Sequence, residues 1–542
     1  MPSEPTLAEA ARLVERLREA RRYPHPVADV ELVETHISWV LLAGGYAYKL
    51  KKPLDLGFLD FSTLAKRRAA CEEEVRLNRR LAPELYLDVV AVTGSPDDPA
   101  MGGTGLAVEY AVRMRRFDRA LELDRLLARG ELPDERIDEL AALVARFHAA
   151  VPAAPPDGPY GTPGAVYAAA AANFEHLAAL EHDAATAARI AALARWTEAA
   201  HSRLAPVMRE RLAGGFVREC HGDLHLANMV LHEGRVVVFD CIEFNPALRW
   251  TDVAAEIAFT VMDLRRRGRP DLAQRFLNGY LDASGDYAGL RLLPYYLVYR
   301  AMVRAKVAAI RASQETDAAA RERDAADVRA HLALAESFAA ERQPALVITC
   351  GASGSGKSFV AGRLAATGDW IRIRSDVERK RLAGLDAAAR TGSGVGAGLY
   401  TPDMTERTYA RLAALARTVV AAGYPALVDA TFLERTRREA FRALAGGLGV
   451  PFLILAPAAP ADVMRERVAA RERAAADPSE ATLAVLERQL ATAEPLAAEE
   501  TAHALVIDAA GPVEADALAT AVAARLGTHP PRPRGDADTR GA

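Results

Sequence analysis

Apolar positions in the first third of the chain predict short strands, with Gly44-Gly45 as a tight hairpin turn between the run at 39–42 and the run at 46–50. A helical period takes over at 65–81. Two further strands are predicted at 86–93 and 106–114, separated by the turn-rich Gly94-Ser95-Pro96-Asp97-Asp98-Pro99. Helical periodicity then dominates to residue 150, so a small sheet lobe precedes a helical lobe. The Pro- and Gly-rich segment 152–163 reads as a loop, the alanine-rich stretch 166–212 as helices, and helices resume after Asp240 as far as about 340. A different rhythm begins at Gln343-Pro344, where the charged helix 321–341 stops. Apolar runs at 346–350, 371–373, 426–428, 451–455 and 504–507 alternate with helical stretches, the βαβ order of a doubly wound parallel sheet.

This pattern predicts an α+β domain over 1–343, with a sheet lobe at 30–115 and a helical lobe at 116–335. An α/β domain should follow over 344–527, and a tail at 528–542, rich in Pro, Arg, Gly and Asp, reads as disordered. The 542 residues exceed what one core organises, which agrees with at least two domains. There is no internal repeat, and the alanine content is compositional. A formal charge of −4 with both signs mixed argues against a nucleic-acid coat or a polybasic membrane anchor, while small anionic ligands remain compatible with it. No apolar run reaches membrane-spanning length and Met1-Pro2-Ser3-Glu4-Pro5 lacks signal-peptide order, so the expected location is cytoplasmic with no membrane partner. The four cysteines, Cys71, Cys220, Cys241 and Cys350, are widely spaced and read as small buried thiols.

Two motifs carry chemistry. Gly351-Ala352-Ser353-Gly354-Ser355-Gly356-Lys357-Ser358 stands directly behind an apolar strand and ahead of a helical pattern, and it matches the phosphate-binding P-loop. Its glycines let backbone N–H groups turn toward phosphate oxygens, Lys357 meets the terminal phosphates, and Ser358 offers a hydroxyl to magnesium. The second motif is His221-Gly222-Asp223-Leu224-His225-Leu226-Ala227-Asn228, followed by an apolar strand ending in Asp240. This is the spacing of a kinase-type catalytic loop and metal-binding aspartate. Asp223 suits orientation of an acceptor hydroxyl, and Asn228 and Asp240 are oxygen ligands for magnesium. His221 is expected to brace the loop.

Through that loop and Val238-Phe239-Asp240-Cys241-Ile242-Glu243-Phe244, residues 30–330 resemble the aminoglycoside phosphotransferase family and its kinase-like relatives. The resemblance implies a bilobal protein-kinase-like fold with ATP between the lobes, Asp223 as catalytic base, and Asn228 and Asp240 on magnesium. It also implies a strand lysine for the phosphates. Lys49 or Lys51 fits, Lys49 first, with Glu74 or the adjacent Glu73 as its helix partner. By the same resemblance Val108 to Met114 would lie at the hinge beside adenine; Asp252 and His148 resemble recurrent family positions, and both read as structural braces. The family's glycine-rich loop is absent. Thr35-His36-Ile37-Ser38 takes its place, with Ser38 as a candidate nucleotide contact.

The second half, 344–525, resembles the small P-loop kinases that include gluconate kinase, polynucleotide kinase and the zeta-toxin group. In it Asp376, at the end of the segment Ile371-Arg372-Ile373-Arg374-Ser375-Asp376, is placed to receive a hydroxyl proton. Arg379 and Lys380 are candidates for an anionic group on the acceptor, and Asp429 for a Walker-B-type magnesium carboxylate. Arg467 and Arg471, spaced i and i+4 on one helix face, are placed to neutralise transition-state charge. The glycine-rich run 391–398 reads as a mobile loop near the acceptor.

The leading expectation is a bifunctional, magnesium- and ATP-dependent phosphotransferase acting on small-molecule hydroxyls, with an RNA or nucleotide acceptor still open. The alternative is a P-loop kinase or ATPase regulated by a ligand-binding, catalytically weak kinase-like module. Neither acceptor, nor oligomeric state, nor any coupling between the sites is legible.

Overall fold

A computed structural model describes residues 6–57, 59–180, 183–386, 389, 398–474 and 482–528. The tail from 529 and the glycine-rich residues 391–397 lie outside the described residues. The chain divides into two compact units. The first comprises residues 1–139, 147–169 and 205–263, and the second comprises 140–146, 170–204 and 264–542.

In the first unit, helix α1 (Leu7–Arg16) precedes the hairpin-rich strands β1 (Val30–Glu34), β2 (Ser38–Ala43) and β3 (Tyr46–Lys51). Helix α2 (Leu64–Asn78) is capped by Thr63, whose hydroxyl accepts from the Lys66 amide. Strands β4 (Tyr86–Gly94), β5 (Pro99–Met101) and β6 (Ala107–Arg115) complete an antiparallel sheet of order β1-β2-β3-β6-β4-β5. The turn at Gly44 has φ +58°, a conformation that favours glycine and closes the β2–β3 hairpin in the expected place. The segment expected at the hinge, Val108 to Met114, is instead β6, paired on both sides by β3 and β4. The chain leaves that strand only at Arg116.

Helices α3 (Leu123–Ala128), α4 (Asp134–Ala150), α5 (Pro163–Leu180) and α6 (Ala184–Ala213) come next. Strand β7 (Val217–Glu219) leads into the His221–Asn228 loop, and the small hairpin β8 (Met229–His232) and β9 (Arg235–Val238) returns the chain beside it. Asp240 therefore follows the loop by one hairpin. Helix α7 (Pro246–Arg249), strand β10 (Trp250–Asp252) and helix α8 (Val253–Arg266) follow. Three cysteines, Cys71, Cys220 and Cys241, are buried free thiols, and Cys350 is half-buried.

The second unit contains α9 (Pro270–Ser284), α10 (Leu293–Gln314) and α11 (Ala318–Ala339), then a five-stranded parallel sheet. Its strands and helices alternate as β11 (Leu346–Thr349), α12 (Lys357–Ala365), β12 (Ile371–Arg374), α13 (Ser375–Leu382), α14 (Pro402–Ala421), β13 (Ala426–Asp429) and α15 (Arg435–Leu448). The series ends with β14 (Phe452–Ala458), α16 (Ala461–Ala474), α17 (Leu483–Thr492), α18 (Ala498–Thr501), β15 (Ala504–Asp508) and α19 (Ala515–Leu526). The sheet order is β12-β13-β11-β14-β15. Every residue of β11 and β13 is buried, as expected of central parallel strands covered on both faces. Among the described residues no helix is long and apolar enough to cross a membrane.

Candidate phosphoryl-transfer sites

In the first unit, Lys49 and Lys51 share a face of β3 and both reach Glu74 on α2. Lys49 Nζ lies 2.8 Å from Glu74 Oε1 and 2.5 Å from Asp240 Oδ1, whereas the fully buried Lys51 pairs with Glu74 and Glu243. Of the two lysines, Lys49 alone pairs with Asp240. Glu73 turns away, to Arg76 and Arg249. Burial works against the Lys49 ammonium, but Asp240 and Glu74 override it and hold its pKa well above the usual value. Partial enclosure favours the neutral form of the half-exposed Asp240 carboxyl, but Lys49 beside it holds it below the usual carboxylate range. Asp240 adopts φ +64°, and the Tyr86 hydroxyl accepts from its amide.

The catalytic-type loop is held from behind. His221 is fully buried and its pKa is pushed down to about 4 by burial, so the ring is neutral at pH 7. Its Nε2–H donates to the Phe239 carbonyl at 2.8 Å and its Nδ1 accepts from the Asp223 amide at 3.3 Å. Glu256, also fully buried, accepts from the amides of His221 and Gly222. Asn228 Nδ2 donates to the Asp223 carbonyl at 3.0 Å and to Asp223 Oδ2 at 3.1 Å, and His225 Nε2 lies 3.2 Å from the same carboxylate. The Asn228 amide thus spends its N–H groups on Asp223 and presents its oxygen, the atom a hard cation would need. Ser38 is the first residue of β2 and is fully buried, and the turn before it is closed by the Thr35 amide and hydroxyl, which both donate to the Ser38 carbonyl. Arg211 grips Asp252 with two bonds of 2.7 and 2.8 Å, a buried brace.

In the second unit, the P-loop, Asp376 and Asp429 all stand at the carboxyl ends of the adjacent strands β11, β12 and β13, the expected position for a ligand on an open parallel sheet. They line a cavity of about 590 Å³. Lys357 Nζ donates to the Ala352 carbonyl at 2.7 Å, and burial lowers its pKa against the pull of Asp429 and Asp376. Gly354 has φ +81°, and a Cβ there would come within 2.5 Å of the Met464 carbonyl, so glycine lets α16 approach the loop. From that helix Arg467 donates to the carbonyls of Gly354 and Ala509, at 3.3 and 2.6 Å. Arg471 faces the cavity, its Nε and Nη2 buried with no partner among the described residues. Arg379 lines the cavity too, stacked on Tyr400 and bonded to the Leu399 carbonyl. Lys380 is buried and forms no part of the wall.

Several groups escaped the sequence reading. Arg372 pairs with Asp429 at 2.5 Å and donates to the Ser358 carbonyl, which ties the two candidate magnesium residues together. The alternation Ile-Arg-Ile-Arg in β12 was the available signal, since it puts Arg372 and Arg374 on one face. Glu243 and Glu256 had no local signal, because their partners come from β3 and from the loop around 221.

The Phosphotransferase enzyme family model matches residues 58–293 and the AAA domain model matches residues 346–496. A gluconokinase from Sinorhizobium meliloti 1021 is 25% identical over 34% of this chain and 92% of its own, with a TM-score of 0.23. A choline/ethanolamine kinase family protein from Mesorhizobium loti is 12% identical over 61% of this chain and 100% of its own, with a TM-score of 0.34. An uncharacterized protein of Mycobacterium tuberculosis (strain ATCC 25618 / H37Rv) is 32% identical over 496 residues, 90% of this chain and 95% of that protein. The chain belongs to the family of that mycobacterial protein, and it joins a region matched by the Phosphotransferase enzyme family model to a P-loop region matched by the AAA domain model.

Proposed function

We propose that the chain is a bifunctional ATP-dependent phosphotransferase, each unit moving the γ-phosphate of ATP to a hydroxyl of a small molecule. The observation that carries this reading is the convergence on Lys49. A lysine from β3, a glutamate from α2 and an aspartate beyond β9 meet through direct ion pairs in front of a braced Asp223 loop. A merely ligand-binding module has no need of that arrangement.

In the first unit Lys49 is assigned to the phosphates, and Asp223, oriented by Asn228 and His225, receives the acceptor's proton. The oxygens of Asn228 and Asp240 would hold magnesium, which when bound neutralises phosphate charge. In the second unit the P-loop amides and Lys357 are assigned to the phosphates, Ser358 and Asp429 would hold magnesium, and Asp376 is assigned to the acceptor proton. Arg467 fixes the P-loop while Arg471 supplies an uncommitted guanidinium to the developing charge. Arg379, held under Tyr400, would bind an anionic group on the second acceptor.

The test follows γ-labelled phosphate from Mg-ATP in a metabolite extract with the wild type, Asp223→Asn and Lys357→Ala. Loss of a different labelled organic product in each variant supports two kinases. A pattern that responds to Lys357→Ala alone refutes the first-unit assignment.

A further inference from the structure

Helix α9 lies inside the stretch matched by the phosphotransferase model, yet it packs within the second unit, along the open edge of β12. Gln274, Asn278 and Asp282 recur at i, i+4 and i+8, so they form one row on its surface. The row matches Trp370, immediately before β12, and then the alternate residues Arg372 and Arg374 within it. Gln274 Nε2 donates to the Trp370 carbonyl at 2.6 Å, and Asn278 donates to the same carbonyl at 3.1 Å while its Oδ1 accepts from the Arg372 amide at 2.9 Å. Asp282 Oδ2 lies 3.7 Å from Arg374 Nη1. Side chains of a helix thereby satisfy the backbone of an edge strand that would otherwise stand unpaired.

The last rung reaches the cavity. Arg374 lines its wall and immediately precedes Ser375 and Asp376. Arg381 from α13 closes the other side of Asp282 by donating to its main-chain carbonyl, and Arg381 also pairs with the buried Glu378, which Arg411 of α14 holds at 3.0 Å. The Tyr287 hydroxyl faces Asp282 Oδ1 at 3.5 Å. The groups around Asp282 are therefore Arg372 and Arg374 from β12, Arg381 and Glu378 from α13, and Tyr287.

We propose that Asp282 is a positioning residue for phosphoryl transfer in the second unit: the α9 row sets the end of β12, and Asp282 sets Arg374 and the start of α13 that carries Asp376. The proposal rests on the reading of that cavity as a kinase site. Burial raises the Asp282 carboxyl to about 6 against the surrounding arginines, so its charge changes near neutrality. Only the ionised carboxylate pairs with Arg374. Transfer at this site should then rise with pH through about 6 in the wild type.

The experiment uses the full chain as wild type, Asp282→Asn, Arg374→Ala and the double variant, with two readouts. Hydrogen exchange compares peptides covering 370–382 with those covering the P-loop. Lys357-dependent transfer of the labelled γ-phosphate from Mg-ATP into organic product is measured, with the extract supplying acceptor, from pH 5 to 8. Asp282→Asn is expected to speed exchange in 370–382 and leave the P-loop peptides unchanged. It should lower the maximal rate by about tenfold or more with little change in KM for ATP, and abolish the rise near pH 6. Arg374→Ala should give a similar loss, and the double variant no further loss. Unchanged exchange with a wild-type pH profile overturns the proposal, as do losses that multiply in the double variant. Absence of any Lys357-dependent turnover in the wild type counts instead against the kinase reading, and the exchange data then decide the α9 row by themselves.

Discussion

Replacing Lys51 with Met should destabilise the first unit, whereas replacing Lys49 with Met should chiefly abolish its activity. Lys51 and Glu74 are fully buried, and Glu243 is nearly so. Removing the Lys51 ammonium leaves the Glu243 carboxylate without the cation it faces and brings two buried acids together. Breaking a buried pair from one side costs about 3–5 kcal/mol. For a unit of this size that is a fall in Tm of roughly 6–20 °C, at about 2–4 °C per kcal/mol. Lys49 is different, because Glu74 keeps Lys51 when it is lost and Asp240 is partly exposed, its side chain 44% accessible. Its loss should cost about 1–2 kcal/mol but lower transfer at the first site by about 10²–10³-fold, the effect of deleting a charge aimed at the reacting phosphate. Urea denaturation gives the stabilities, and the labelled product that disappears in Asp223→Asn gives the activity. A Lys51→Met variant with wild-type stability, or one that abolishes transfer while Lys49→Met does not, would refute this division of labour.

Three further outcomes follow from the geometry. Asp240 holds φ +64°, so Asp240→Gly should be more stable than Asp240→Ala by about 1 kcal/mol in denaturant melts, while neither supports transfer at the first site; equal stabilities would contradict the strain argument. His148 and His221 are buried with pKa values pushed down by burial to about 3 and about 4 from 6.5, so between pH 6.5 and about 4 the unfolded chain binds protons that the folded chain refuses. Stability of the first unit should fall from pH 7 to 5.5 by about 1 kcal/mol for each histidine, and His148→Asn should remove half of that dependence in urea melts. Arg471→Ala should lower turnover at the second site by about 10²-fold without changing Tm, since its Nε and Nη2 bond nothing among the described residues; an unchanged rate would remove it from the mechanism.

Period and motif carried much of the architecture. The Gly44-Gly45 hairpin, the five strands of the parallel sheet and the P-loop behind the first of them stand where the sequence places them, because each depends on local turn chemistry and short apolar runs. Period two put Lys49 and Lys51 on one face, and only the family resemblance placed Lys49 first; the contact with Asp240, set by the β8–β9 hairpin, is what separates the two lysines physically. Glu74 was likewise placed ahead of the adjacent Glu73, and packing turns Glu74 inward and Glu73 toward Arg249. The hinge was displaced because Val108 to Met114 reads as a strand and is one, the connection falling just beyond it. Glu256 and the α9 row were invisible because their partners lie on other elements, at sequence distances no local pattern spans, and the alternation in β12 gave Arg372 a face but not its partner Asp429.

Two nucleotide sites on one chain should show in the stoichiometry of a non-hydrolysable Mg-ATP analogue, measured by calorimetry on the full chain. Two equivalents are expected per wild-type chain and one each in Lys49→Ala and Lys357→Ala, every variant checked for folding. One per wild-type chain, lost entirely with Lys357→Ala and untouched by Lys49→Ala, would contradict the two-site expectation.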